Sequence, residues 1–241
     1  MPVSVTERRA VSPVVSTVII TATLLIVLVV ATALASSMLE IQLQNLEFEQ
    51  AKTVMMALDK VIAEVSLRPG AASSVQFNQR RGGIGVYRGE DMTIRVYRDS
   101  GPVLEITDAT YVVKYRGGSM ASAAPTVLSG SSGLIVEAPK PLGHVRVEVG
   151  DGAWIVLDYN RVSVLNNTSL GTVDVFFILL RPGTFGGTGI VTVRVQSRDV
   201  RTWTCEGDYV EVKVGDRVAS LQLREARNVR ITAVVVEISV T

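Results

Sequence analysis

The feature that most constrains this chain is a run of 30 residues without a charged side chain, from Ala10 to Leu39. As a helix it would be about 45 Å long, whereas the hydrocarbon layer of a membrane is about 30 Å thick. Its centre is apolar on every helical face, and such a helix must lie in lipid or among other helices. The central residues are Leu24, Leu25, Ile26, Val27, Leu28, Val29 and Val30.

The charges on either side of this run predict its orientation. Arg8 and Arg9 precede it and Glu40 follows it. Because basic flanking residues favour the cytoplasmic side of a membrane, residues 1–9 are expected inside the cell and the remainder outside.

Three kinds of N-terminal segment fit these features. In the first, a secretory signal peptide is cleaved after the Ala-Leu-Ala of residues 33–35, but the apolar run exceeds the usual length of about 7–15 residues. The second is a permanent signal anchor, and the third is a short leader cut off before the apolar run. Ser12 and Pro13 favour the third, because a serine N-cap and a proline at the first helical position start a helix just after the basic pair.

The stretch Arg-Ala-Val-Ser-Pro-Val-Val at residues 9–15, followed by a long apolar helix, resembles the N-terminus of archaeal type IV pilins and the related archaellins. In that family a prepilin-type peptidase cuts after a small residue that follows a basic one. The resemblance implies a cut after Ala10, which removes a leader of residues 1–10. The residues that the peptidase would read are Arg8, Arg9, Ala10 and Val11.

One position separates the archaeal from the bacterial members of this family. Bacterial type IV pilins carry a glutamate at the fifth residue of the mature chain, where this chain has Val15. Archaeal members generally lack that glutamate, so the resemblance is to the archaeal group. It covers the helical N-terminal part of the chain only.

The helical pattern continues beyond the membrane-length run. No glycine or proline interrupts the chain from Ser37 until Pro69-Gly70, which predicts one helix from about residue 13 to residue 67. Apolar residues recur mostly every three or four positions, so residues 11–69 are predicted as an apolar half followed by an amphipathic half. The predicted buried face consists of Leu39, Leu43, Leu46, Val54, Leu58, Val61 and Val65.

After Gly70 the apolar period changes from 3.6 to 2, and turn residues separate the segments, which predicts an all-β, sandwich-like or barrel-like head over residues 70–241. The whole chain is therefore predicted to be α+β. Residues 117–133, rich in Gly, Ser and Ala, are predicted as a flexible loop or as a linker between two β subdomains. Phe176–Leu180 is predicted as a strand covered on both faces. The final strand, Val234–Val240, is expected to pair in its own sheet rather than with a neighbouring molecule.

The residues that usually carry chemistry are scarce. The chain has one cysteine, Cys205, and one histidine, His144, so it cannot form an internal disulfide or a Cys/His zinc site. His144 alternates with the inward-facing valines of its strand and is predicted to face solvent. Lys and Arg number 24 against 23 Asp and Glu, which gives no electrostatic reason to expect a nucleic acid partner. We expect no enzyme activity, no metal and no cofactor.

Asn166 and Asn167 each begin an Asn-x-Ser/Thr sequence. In an exported chain either one is a candidate for N-glycosylation. The polar residues around them predict a loop.

Together these patterns favour a pilin-like structural subunit of a type IV pilus-like filament. The expected partners are copies of the chain itself through the N-terminal helices, a prepilin-type peptidase, and the membrane before assembly. The expected location is first the cell membrane and then an extracellular surface filament, for which adhesive, motile and retractile roles all stay open. The alternative is a monomeric, membrane-anchored extracellular binding module.

Overall fold

The structure, a computed structural model, describes residues 13–99, 101–167, 171–187, 189–223 and 228–241. These residues form one helix followed by thirteen strands, which confirms the α+β class. The helix α1 spans Pro13–Ser66 and ends one residue before the predicted end. The strands are β1 Ala72–Gln79, β2 Gly83–Arg98, β3 Gly101–Arg116, β4 Thr126–Ser129, β5 Ile135–Glu137, β6 His144–Val149, β7 Ala153–Asp158, β8 Val162–Asn167, β9 Thr172–Phe185, β10 Gly189–Cys205, β11 Tyr209–Val214, β12 Arg217–Gln222 and β13 Asn228–Val240.

The chain divides into two compact units, with the boundary between Leu43 and Gln44. The described part of the first unit is the apolar portion of α1. The second unit, here called the head unit (Gln44–Thr241), contains the rest of α1 and the strands.

A tight turn reverses the chain after α1. The amide of Ala71 donates to the carbonyl of Arg68 at 3.0 Å, and Gly70 has a φ of +78°. A proline at the second position and a glycine with positive φ at the third define a type II turn. Pro69 and Gly70 therefore end the helix and direct the chain into β1, as the sequence predicts.

The strands form two sheets. The six-stranded sheet has the order β1-β10-β13-β9-β8-β5, and the seven-stranded sheet has the order β12-β11-β2-β3-β7-β6-β4. Most neighbours are antiparallel, but β13 runs parallel to β9, and β5 runs parallel to β8. The final strand therefore lies inside its own sheet, between β10 and β9, as expected. The interval 117–133, predicted as a loop, contains the short strand β4.

Two hydrophobic cores lie against the six-stranded sheet. The helix-side core joins α1 to β10, β13 and β7, and the second core joins β2 and β11 to β8, β9 and β13. Ile178 and Leu180 of β9 lie in the helix-side core, whereas Phe177 and Leu179 lie in the second core. Alternate side chains of one strand thus fill opposite cores, which confirms the prediction for residues 176–180.

The buried face of α1 differs from the predicted one. Leu58 and Val65 are buried as expected, and Val54 and Val61 are partly buried and pack against the helix-side core, but Leu39, Leu43 and Leu46 are exposed. The predicted and the observed faces share Leu58 and Val65, but the fully buried positions next to them are Met55 and Ile62 rather than Val54 and Val61. The buried apolar residues of α1 are Phe48, Ala51, Met55, Leu58, Ile62 and Val65.

Candidate functional site

The sequence-predicted processing site lies outside the described residues. This applies to Arg8, Arg9, Ala10 and Val11, and also to the predicted N-cap Ser12. The helix begins at Pro13, the position predicted for its first turn. Proline is well suited there, because the first helical amide has no partner inside the helix.

The apolar part of α1 is exposed along its whole described length. Every side chain from Val15 to Leu39 is exposed, including the seven central residues Leu24–Val30, of which Leu28 is 67% exposed. By length and composition this is a helix that could cross a membrane, and none of its apolar window is buried within the chain. So large an apolar surface marks a site for contact with lipid or protein.

Three threonine hydroxyl groups within this segment form hydrogen bonds to the helix itself. The side chains of Thr21, Thr23 and Thr32 each donate to the carbonyl four residues earlier, at 2.8, 2.9 and 2.8 Å. In an apolar environment an unpaired hydroxyl is unfavourable, whereas one bonded back to the helix is tolerated. These threonines therefore do not prevent the helix from entering lipid or a helix bundle.

The rest of α1 packs into the head unit. Its six buried apolar side chains repeat at alternating steps of three and four, which places them on one helical face. They share the helix-side core with valines and isoleucines from both sheets, such as Val193, Val234 and Ile155. At about 1.5–3 kcal/mol for each large side chain, this burial is the main term that holds the helix to the strands.

Polar side chains of α1 accept hydrogen bonds from backbone amides of the surrounding loops. Glu47 Oε1 accepts from the amides of Arg81 and Gly82, at 3.1 and 3.2 Å, and from the Tyr115 hydroxyl at 3.1 Å. Gln44 Oε1 accepts from the Met120 amide at 2.8 Å. Burial, followed by the Glu47 carboxylate, raises the pKa of Tyr115. The sequence did not point to these anchoring residues, because their partners are distant in the chain.

A buried carboxyl group of α1 also holds the helix against the rest of the head unit. Asp59 is buried, and its Oδ1 accepts from the Tyr159 hydroxyl at 2.5 Å. A Cβ atom at Gly143 would lie 1.6 Å from Asp59 Oδ1, so only glycine allows this loop to approach the helix so closely. Burial raises the pKa of Asp59, although the hydrogen bond from Tyr159 and the charge of Arg161 act in the opposite direction.

The raised pKa of Asp59 predicts that its ionisation destabilises the folded state. A raised native pKa means that stability is lost as pH rises from the unfolded-state value through the native value. Asp59→Asn keeps an oxygen acceptor for Tyr159 without the charge. We expect this variant to have a higher free energy of unfolding than wild type at pH 7, and a smaller advantage at pH 3. Equal losses of stability at both pH values in thermal unfolding would contradict this assignment.

The candidate glycosylation residues lie at the end of a strand. Asn166 and Asn167 are the last two residues of β8 and pair with Val173 and Thr172 of β9, rather than lying in the predicted loop. The Asn166 side chain is exposed. The Asn167 side chain and the hydroxyl-bearing residues at positions 168 and 169 lie outside what the structure describes.

The prediction that His144 faces solvent is wrong, because the side chain is only 5% exposed. The alternation itself holds, since Val145 and Val147 enter the helix-side core and His144 lies on the opposite face of β6. Neighbouring side chains cover that face at His144. Arg146 lies 3.3 Å and Asp158 lies 3.6 Å from His144 Nδ1.

Comparison with known proteins adds no family assignment. No protein-family model matches this chain, and no curated protein or solved structure is significantly similar to it. Within the described ranges, no three His, Cys, Asp or Glu side chains lie close enough together to hold a metal ion.

Proposed function

We propose that this chain is the structural subunit of a type IV pilus-like surface filament, held in the membrane by α1 until assembly. The observation that carries the proposal is one uninterrupted helix that is apolar and exposed in its first part and packed among strands in its last part. The resemblance of residues 9–15 to archaeal pilins adds a removable leader and a prepilin-type peptidase. The role requires no catalytic group or cofactor.

The length of the exposed apolar surface favours a filament over a simple anchor. Exposed apolar side chains recur on α1 from Val15 to Leu46, a distance of about 48 Å along the helix. A hydrocarbon layer covers only about 30 Å of it. Leu43 and Leu46, which follow the charged Glu40, would then remain in water on an isolated anchor. Neighbouring helices in a filament would cover them.

The same helix would serve two environments in succession. In the membrane, lipid covers the residues around Val27. In the filament, helices of neighbouring subunits take the place of lipid, and packing between them supplies the contacts. At about 1.5–3 kcal/mol for each fully buried large side chain, return of an assembled subunit to water would be strongly unfavourable.

A second candidate is a monomeric binding module anchored by α1 in the membrane. The observation that favours it is a cavity of about 580 Å³ in the head unit. The two candidates make opposite predictions for the apolar residues that extend beyond membrane length.

Leu46→Lys separates a filament subunit from an anchored monomer. Leu46 is 55% exposed, so a lysine there fits the isolated chain but places a charge between packed helices. In cells that lack the chain and are complemented with the variant, we expect normal amounts in the membrane fraction and no filaments by electron microscopy. Wild type should restore filaments that bind an antibody against the chain.

The matched control is Val103→Lys, which adds the same charge at an exposed position in β3. It should leave both membrane content and filaments intact. Filaments that persist in the Leu46→Lys cells, or wild-type cells in which the chain occurs only as a membrane-bound monomer, would overturn the filament proposal.

A further inference from the structure

A cavity opens on the face of the seven-stranded sheet that lies opposite the helix-side core. Its volume is about 580 Å³, within the range of about 300–1,000 Å³ that is usual for small-molecule sites. Val112 and Val156 line it, and they alternate along β3 and β7 with Val113, Ile155 and Leu157 of the helix-side core. The cavity is therefore a feature of the outer face of the sheet, separate from the helix-side core on which α1 packs.

Strand register places two rows of side chains along this cavity. Lys114 of β3 is opposite Val156 of β7, and Val156 is opposite Arg146 of β6, so two cations flank one buried valine. In a neighbouring row, His144 is opposite Asp158. All five residues line the cavity.

Cations exceed anions in the lining. The cationic side chains are Arg88, Lys114, Arg146 and Arg217, and the anionic ones are Glu90 and Asp158. Asp158 is already engaged by Arg146 and by Arg161, which lies beside the cavity with only 1% exposure. Two neighbouring carboxylates, Asp91 and Glu148, pair with Arg88 and Arg146.

Two of the four lining cations remain available to a ligand. Across the described ranges, Lys114 and Arg217 form no ion pair, and neither does the lining carboxylate Glu90, so the lining keeps an excess of one positive charge. The whole chain carries a formal net charge of only +1, so this positive excess is local rather than a general property of the surface.

Buried polar nitrogens without partners, next to the cavity, are a second observation. His144 Nε2 has no hydrogen-bond partner in the described part of the chain, and neither do Nε and Nη1 of Arg161. Burial, followed by the charge of Arg161, lowers the pKa of His144, so the ring is neutral at pH 7. Its Nδ1 lies 3.3 Å from Nη1 of Arg146 and 3.6 Å from Oδ2 of Asp158, so either ring nitrogen can carry the proton. The cavity is therefore bordered by buried polar nitrogens whose hydrogen bonds the described residues do not complete.

We infer that this cavity binds a small organic molecule through an oxyanion group, a carboxylate or a phosphate. Lys114 and Arg217 supply the positive charge that the oxyanion group of the ligand neutralises. A neutral ligand would leave the positive excess uncompensated, and a cation would be repelled by it. This site is distinct from α1, and the inference holds whether the chain assembles into filaments or remains a membrane-bound monomer.

Isothermal titration calorimetry on the full chain in nonionic detergent micelles tests the inference with three probes: glucuronate, inorganic phosphate and glucose. We expect at least one of the two anions to bind and glucose not to bind. Tighter binding of glucuronate would identify a carboxylate ligand such as an acidic sugar, and tighter binding of phosphate would identify a phosphate group. No binding of either anion at millimolar concentration, or equal binding of glucose, would overturn the inference.

The double substitution Lys114→Gln with Arg217→Gln locates the binding. Lys114 is half-buried and Arg217 is exposed, so we expect the double variant to keep its fold. The tryptophan fluorescence of the variant tests this expectation. We expect the Kd for the bound anion to rise at least tenfold. The matched control, Arg68→Gln with Lys213→Gln, removes the same charge from exposed positions outside the cavity and should leave Kd within twofold. An unchanged Kd in the cavity variant would contradict the assignment.

Discussion

Leu58→Ala is expected to lower the free energy of unfolding of the head unit by about 2–5 kcal/mol. Leu58 is 0% exposed and lies between Met55 and Ile62 on the buried face of α1. Truncation removes apolar burial and leaves a cavity that the rigid strands around it cannot close. The chain has two tryptophans, Trp154 in β7 and Trp203 in β10. Their fluorescence during denaturant unfolding reports on the strands while the apolar helix stays in a micelle.

Leu46→Ala is the matched control on the same helix. Leu46 is exposed in the isolated chain, so the same substitution should change the free energy of unfolding by no more than about 0.5 kcal/mol. Leu58 belongs to both the predicted and the observed face of α1, so Leu46 is the position that distinguishes them. Equal losses at both positions would mean that the helix packs on the face predicted from the sequence rather than on the one observed.

Asp158→Ala is expected to cost about 3–5 kcal/mol of stability, because it would leave buried charge without its partner. The Asp158 carboxylate lies against the guanidinium groups of Arg161 and Arg146, and the Arg161 side chain is almost fully buried. Burial raises the pKa of Asp158, but the two arginines outweigh burial and lower it overall. A lowered native pKa contributes stability above the unfolded-state pKa, and that contribution is lost as pH falls through the native value. The variant should therefore lose less stability on acidification than wild type.

Asp199→Ala provides the comparison for Asp158→Ala. Asp199 pairs with Arg201 at 2.9 Å, but both side chains are about half exposed. Solvent and salt screen such a pair, and its removal should cost no more than about 1 kcal/mol. Equal losses of stability for the two variants in the tryptophan-detected unfolding experiment would contradict the prediction that the buried ion pairs of Asp158 with Arg161 and Arg146 stabilise the fold.

Local sequence patterns were sufficient to predict two elements, the helix α1 and the strand at residues 176–180. The absence of glycine and proline before Pro69 predicted the length of α1 to within one residue. The apolar run at residues 176–180 predicted a strand covered on both faces, and the structure places its side chains in two cores. In both cases the residues that determine the structure are adjacent in the chain.

Features that depend on distant partners could not be predicted in this way. Spacing alone did not distinguish the predicted from the observed buried face of α1, because the choice depends on which one meets the strands. Alternation placed His144 on the correct face of β6, but only the register of β6 with β7 shows that Asp158 lies opposite it. The cationic cavity likewise arises from β2, β3, β6, β7 and β12, and no local motif indicates that these strands meet.

The central proposal is that α1 becomes the core of a filament after its leader is removed. Intact-mass spectrometry of the chain, recovered from sheared surface filaments, tests it most directly. The account predicts that the chain is present in that fraction and begins at Val11, with residues 1–10 removed. A chain that is absent from filaments and retains its leader in the membrane, or one that begins at Ser36 in the medium, would contradict it.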